Sequence, residues 1–386
     1  MKTIEPILEK ACCGQSLDEV EVASLLATPP GKQLDSIFAT ARALRERAFG
    51  EEVFLYGFIY LSTYCRNHCC FCLYREGNSA SPRYRKSIKV ILDVARALAD
   101  DGVHLVDLTM GEDPYYLKKG GERLLELLYE VRQAVPLSVM VSPGVLEAGT
   151  LAEIARLGVD WYACYQETFN QSLFTRLRIE QDFGRRLGAK VHARQAGLLV
   201  EEGLLLGVGD SPADGALAVK AMESLCPSQV RAMTFRPQRG TPMADWPAPD
   251  SLNELRTIAT FRICFPDRLI PASLDVDGVE GLEARLNAGA NVVTSMIPPR
   301  YGLAGVSRSQ LGIEDGLRTV SIVTPVIERL GLRVAPVSGY QHWLEKEKRL
   351  VPASETYPEY HRTGAQARLS RMLKRRGYRD ARHQKY

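Results

Sequence analysis

Short apolar runs alternate with amphipathic stretches from residue 53 to residue 297. The runs lie at 53–61, 103–110, 137–141, 159–165, 203–208, 230–235, 269–274 and 291–297. Between them, helical spacing of apolar residues covers 86–100, 123–135, 150–157, 184–202, 212–224, 252–265 and 281–289. Strand-length apolar runs separated by helix-length segments predict parallel strands joined by crossover helices. Eight such units predict an α/β fold, a closed (β/α)8 barrel of the TIM type. An open doubly wound sheet is the alternative. Ahead of residue 51 the pattern is helical: 4–10 is amphipathic, Ser16 precedes Glu19 at capping-box spacing, and 35–48 forms a longer helix. The expected division is a helical leader at 1–50, a barrel at 51–345 and a basic C-terminal extension at 346–386.

Composition leaves this picture intact. The 386 residues are 45% hydrophobic and 25% charged, ample for a large core. A net charge of +3 is too small to argue for nucleic acid. Arg368, Arg371, Lys374, Arg375, Arg376 and Arg379 read as a solvated helix face or a loose tail. No run of about twenty apolar residues offers a membrane span, and the acidic N-terminus is no signal peptide. Nine cysteines, several in one loop, fit a reducing cytoplasm better than a disulfide scaffold. Cys12 and Cys13 are expected to be structural, and Cys164, Cys226 and Cys264 to pack in apolar surroundings.

Chemistry in a barrel gathers where strands end and βα loops begin. The first such loop carries Cys65, Cys69, Cys70 and Cys72. Read as C-x3-C-x2-C, Cys65, Cys69 and Cys72 form a triad with Phe71 before the last thiol. Three thiolates can hold three irons of a cubane cluster and leave the fourth iron open for chemistry. A structural zinc site or plain burial are the competing readings. Zinc wants four ligands, and His68 and Cys70 would be cramped in so short a loop. Cys70 reads as a bystander.

Other strand ends offer polar groups. Asp107, between Val106 and Leu108, can point into the barrel, where a carboxylate is costly unless it meets a cation. Gly111 and Glu112 follow, and Asp113 reads as a helix cap. Glu167 and Thr168 end the fourth strand, or cap the next helix. Gly203, Gly207 and Gly209, with Asp210, would let a flat ligand lie against backbone. The sixth strand offers Arg231 and Arg236. Ser273 and Asp275, two apart, share a strand face. An inward Arg231 with Asp107 and Asp275 suits a zwitterionic amino acid; an Arg231–Asp275 ion pair is the alternative.

These segments carry a resemblance. The loop YCRNHCCFCLYR resembles that of the radical S-adenosylmethionine (SAM) enzymes. The stretches DLTMGEDPYY, YQETFN, EGLLLGVGD, MTFRPQRGTP and IPASLDVDGVEGLEARLNAGANVVTSMIPP are similar to the methylornithine synthases of pyrrolysine biosynthesis, in the biotin-synthase-like branch. The similarity runs from about residue 53 to residue 343; the segment after about 346 extends past it. The resemblance implies that Cys65, Cys69 and Cys72 ligate a 4Fe–4S cluster, with Phe71 near the SAM adenine. It implies Gly111 and Glu112 at the SAM amino group, Glu167 at the ribose, and Arg186 at the carboxylate, with Arg185 left open. It places Gly203, Gly207 and Asp210 beside adenine, and Asp107, Arg231, Ser273 and Asp275 around the amino acid. The implied reaction is isomerisation of L-lysine to 3-methylornithine through a deoxyadenosyl radical, lysine fragmentation and recombination. An electron donor such as flavodoxin or ferredoxin is then a partner, and no nucleic acid or membrane is. A hydrogenase-cofactor maturase of the same branch is the rival, and a non-catalytic iron–sulfur carrier the rival from another class.

Overall fold

A computed structural model describes residues 4–298 and 317–351. Eight parallel strands follow the expected order: β1 (Glu52–Ser62), β2 (Leu105–Met110), β3 (Ser138–Ser142), β4 (Trp161–Ala163), β5 (Leu199–Leu206), β6 (Gln229–Thr234), β7 (Pro271–Ser273) and β8 (Val292–Met296). They neighbour one another in the order 6-5-4-3-2-1-8-7. The ends of this path meet at a bridge between Gln229 and Leu269, where the Val230 amide donates to the Leu269 carbonyl at 3.0 Å. The sheet is thus a nearly closed barrel, and the open-sheet alternative falls.

Period-two alternation explains why β1 organises the molecule. Phe54, Tyr56, Phe58 and Tyr60 point inward to an aromatic interior, while Leu55, Ile59 and Leu61 face the helices outside. Gly57 also faces outward. A Cβ there would lie 2.6 Å from the Leu98 side chain, so the helix Ile88–Asp101 packs directly on strand backbone.

The barrel helices match expectation to within a residue or two, except at the fifth unit. There the helix ends at Gln195 and β5 begins at Leu199, inside the expected helical segment 184–202. Glu201 and Glu202, expected in that helix, are both fully buried on opposite faces of β5. Glu202 turns outward to a buried ion pair with Lys190, and Glu201 turns into the barrel.

The leader holds three helices, Glu5–Cys12, Glu19–Leu26 and Lys32–Phe49. The capping box starts at Asp18 rather than Ser16: Asp18 accepts from the Glu21 amide at 2.8 Å and Glu21 returns the bond at 2.7 Å. Cys12, Cys13 and Cys226 are exposed, not packed; Cys164 is buried and Cys264 half-buried.

A ninth strand, β9 (Arg333–Val334), pairs with the start of β1. The helix Val337–Leu350 follows and runs through residue 345, the expected end of the barrel. It closes the foot of the barrel, where Tyr340 and Trp343 pack on Phe54 and Trp161. The Trp161 indole donates to the Tyr340 hydroxyl at 3.3 Å, and Arg268 ties the helix down through Glu347. The basic run at 368–379 lies outside the described residues.

Candidate functional site

Beyond β1 the chain forms a loop of turns to Arg85, which bridges back to Ser62. Arg83 holds this loop in shape. Its guanidinium donates to the carbonyls of Thr63, Tyr74 (2.9 Å), Arg75 (2.7 Å) and Asn78 (3.3 Å), on both sides of the cysteines. The loop therefore closes over the C-terminal end of the barrel. Between the two lies a cavity of about 250 Å³.

Cys65, Cys69 and Cys72 all line this cavity. Cys70 does not: it sits against Leu177 and donates its thiol to the Arg176 carbonyl at 3.2 Å, as a bystander would. His68 is more than a third exposed, 3.7 Å from Glu76. The thiols differ in their surroundings. Cys65 Sγ accepts the amides of Asn67 (3.4 Å) and Glu112 (3.3 Å). Cys69 Sγ accepts Gln181 Nε2 (3.0 Å) and Arg178 Nη1 (3.5 Å). Burial pushes the Cys65 thiol up to about 11 and raises that of Cys72 as well. Metal must displace those protons to bind.

Among the described residues, no group of three or more His, Cys, Asp or Glu side chains is gathered as a single ion would need. A cubane presents separate irons to its ligands, so its thiolates need not converge on one point. Gly111 supports the same fit. A Cβ there would stand 2.6 Å from Cys65 Cβ and 2.9 Å from the Tyr64 carbonyl, so only glycine lets the second strand's loop reach the first.

Glu112 and Arg186 face each other on the wall at 3.4 Å, both buried. Burial pushes the Glu112 carboxyl up, but Arg186, the Val145 amide and Arg66 outweigh it and leave the group below its ordinary value. Arg186 also donates to the Tyr165 carbonyl at 2.6 Å. Arg185, its neighbour, is exposed and paired with Glu147, away from this wall.

Glu167 adopts a left-handed backbone (φ 67°) and is joined to Leu204 by a bridge, which aims its carboxylate at the cavity. Arg178 meets it at 2.5 Å and packs over the Phe71 ring. Glu167 Oε2 and Arg178 Nε are buried without partners among the described residues, as expected of groups that await a polar ligand. The next helix is capped by Asn170, not by Glu167 or Thr168.

Gly207 is not brought to the cavity. It takes a left-handed turn (φ 82°) under the Pro249 ring, and Asp210 accepts its amide at 2.7 Å. Gly203 makes room for side chains of this chain, since a Cβ would lie 2.9 Å from Met233 and 3.0 Å from Tyr165. Packing alone accounts for Gly203 and Gly207, whereas a Cβ at Gly209 would meet nothing within 4 Å.

Deeper in the barrel, Asp107, Arg231, Ser273 and Asp275 line the same cavity. The alternative, an Arg231–Asp275 ion pair, is not the arrangement seen among the described residues. Arg231 pairs with Glu201 at 2.6 Å, whereas Asp275 accepts from Tyr60 (2.9 Å), Ser295 (2.7 Å) and Arg318 (3.2 Å). Asp107 accepts from Ser142 at 2.9 Å; burial, with Glu201 nearby, pushes its carboxyl up to about 8. Asp113 both caps the short helix Pro114–Leu117 and binds Arg85 at 2.6 Å. Glu201 and Arg318 escaped the sequence reading. Glu201 is recognisable only once β5 is known to start at Leu199.

No helix of the described residues is long and apolar enough to cross a membrane. The Radical SAM superfamily matches residues 59–216. The 3-methylornithine synthase of Methanosarcina barkeri is 39% identical over 333 residues, covering 86% of this chain and 95% of that protein. The crystal structure of methylornithine synthase (PylB) superposes with a TM-score of 0.83 at 39% identity, covering 87% of this chain and 99% of that one. The hydrogenase maturase HydG from Carboxydothermus hydrogenoformans shares the fold, with a TM-score of 0.74 at 18% identity over 96% of this chain and 93% of that one. With its cysteine loop over a (β/α)8 barrel and this likeness across most of its length, the chain belongs to the methylornithine synthase family of the radical SAM superfamily.

Proposed function

We propose that the chain isomerises L-lysine to (3R)-3-methyl-D-ornithine in pyrrolysine biosynthesis. The observation that carries this reading is that one cavity holds both the three loop cysteines and the set Asp107, Arg231, Ser273 and Asp275. Cys65, Cys69 and Cys72 would hold a 4Fe–4S cluster, with Phe71, Gly111, Glu112, Glu167 and Arg186 around SAM. When bound, these supply a 5′-deoxyadenosyl radical, formed with one electron from a donor such as flavodoxin or ferredoxin.

The chain's own tasks follow from charge and enclosure. Arg231 would take the substrate carboxylate, and Asp107 and Asp275 the ammonium groups. Among the described residues lining the cavity, five acids (Asp107, Glu112, Glu167, Glu254 and Asp275) face four arginines (Arg178, Arg186, Arg231 and Arg236), one negative charge in excess when Asp107 is ionised. A diamino acid carries one net positive charge and answers it. A neutral substrate would leave that charge unmet. The aromatic floor of Phe58 and Tyr60 excludes water, and the walls hold both lysine fragments within reach of one another.

The test is anaerobic turnover of the reconstituted protein with SAM, dithionite and labelled lysine, read by mass spectrometry. A product of lysine mass with a new retention time and little net deoxyadenosine is expected. Deoxyadenosine accumulating while lysine stays intact would keep the superfamily chemistry and discard the substrate. Arg231→Ala should abolish lysine turnover while SAM cleavage remains measurable.

A further inference from the structure

Glu201 is fully buried and stands behind Arg231, not on the cavity wall. Three donors converge on its carboxylate: Arg231 Nε at 2.6 Å, Gln229 Nε2 at 2.6 Å and the Tyr165 hydroxyl at 2.8 Å. Arg231 Nη1 donates to Thr294 Oγ1 at 3.1 Å. Arg231 Nη2 is buried and, among the described residues, has no partner. One edge of the guanidinium is gripped from behind, and the nitrogen left over belongs to a residue on the cavity wall.

We propose that Glu201 is a positioning residue for substrate: it fixes Arg231 by its Nε edge and so presents Nη2 to the carboxylate of the amino acid. The proposal rests on the reading of Arg231 given above. An arginine side chain is long and rotamer-rich, and a fork held at one edge loses less freedom when it meets a carboxylate. Register supports the arrangement. Glu201 pairs with Gln229 across β5 and β6, and Gly203 pairs with Arg231, so both side chains of the ion pair share the inner face. The residue opposite Arg231 has no side chain to compete for that space.

The alternative is that Glu201 merely neutralises a buried cation. Lysine and cadaverine (1,5-diaminopentane) separate the two, because cadaverine lacks the carboxylate. Binding of each to the cluster-reconstituted chain with SAM and without reductant is measured by calorimetry, for the natural protein, Glu201→Gln and Arg231→Ala. Steady-state turnover of lysine accompanies it. Glu201→Gln is expected to weaken lysine about tenfold or more, as loss of an oriented charge-assisted contact does. Cadaverine binding should stay unchanged, and KM should rise with kcat nearly kept. Equal weakening of both ligands, or of neither, while Arg231→Ala still discriminates, overturns the role of Glu201 alone. Failure of Arg231→Ala to discriminate overturns the reading of Arg231 and the inference with it. If Glu201→Gln does not fold, Glu201→Asp withdraws the carboxylate while keeping its charge; the same lysine-specific loss is expected, and its absence counts against the proposal.

Discussion

The Gln181 side-chain amide donates to the Cys69 thiol at 3.0 Å, and Cys69 accepts a second side-chain donor from Arg178 at 3.5 Å. Hydrogen bonds to ligating sulfur favour the more negative, reduced state of an iron–sulfur cluster. Gln181→Leu is therefore expected to move the cluster's midpoint potential to a more negative value with iron content unchanged. Redox titration followed by electron paramagnetic resonance reads the shift; an unmoved midpoint in fully loaded protein would sink the idea.

Gly111→Ala should act on cluster loading rather than on folding. The new methyl group meets Cys65 Cβ and the Tyr64 carbonyl, so the cysteine loop must move to admit it. Iron per chain after reconstitution should fall severalfold. Gly149→Ala is the control: its Cβ meets nothing within 4 Å, in the helix Ala148–Arg156, and it should load normally while gaining about 0.4–1 kcal/mol.

Asp107 gives a pH dependence with a defined sign. Burial raises its carboxyl from the ordinary value of 3.8 to about 8, so the folded chain holds a proton that the unfolded chain releases. Its contribution to stability is complete below the unfolded value and is lost as pH rises towards about 8. Asp107→Asn should flatten the fall in urea-unfolding free energy between pH 5 and pH 8. A slope identical to that of the natural protein would refute the assignment. Lysine affinity should move oppositely, rising with pH over the same range as the carboxylate forms.

Lys190 and Glu202 form a fully buried ion pair under the helix Phe183–Gln195. Lys190→Met leaves a carboxylate uncompensated and should cost about 3–5 kcal/mol in chemical unfolding. Adding Glu202→Met should recover most of that loss. A double variant as unstable as the single one would show that packing, not charge, dominates there.

How far these features could be read beforehand depended on the range of the forces involved. Strand order and the cysteine loop follow from local alternation, which β1 displays over four consecutive inward aromatics. Glu201 and Glu202 fall inside the expected helical segment 184–202, and nothing local marks them as strand residues, because their compensating cations, Arg231 and Lys190, lie on other elements. Gly207 shows the same dependence on distant residues. Its neighbour Pro249 is far away in sequence, so the packing constraint on it leaves no local signal. Arg185 and Arg186 are adjacent on one helix, and only the helix's rotation against β4 tells the buried one from the exposed one. The two-residue β9 carries too little pattern to stand out at all.

The helix Val337–Leu350 stoppers the foot of the barrel with Tyr340, Trp343 and Leu344. Among the described residues, the way into the interior then lies at the opposite end, where the cysteine loop lies. Reactant and product share one doorway, so each occupant must leave before its successor can enter. Inhibition by accumulated product should accordingly be competitive with lysine, because two molecules queue for a single berth.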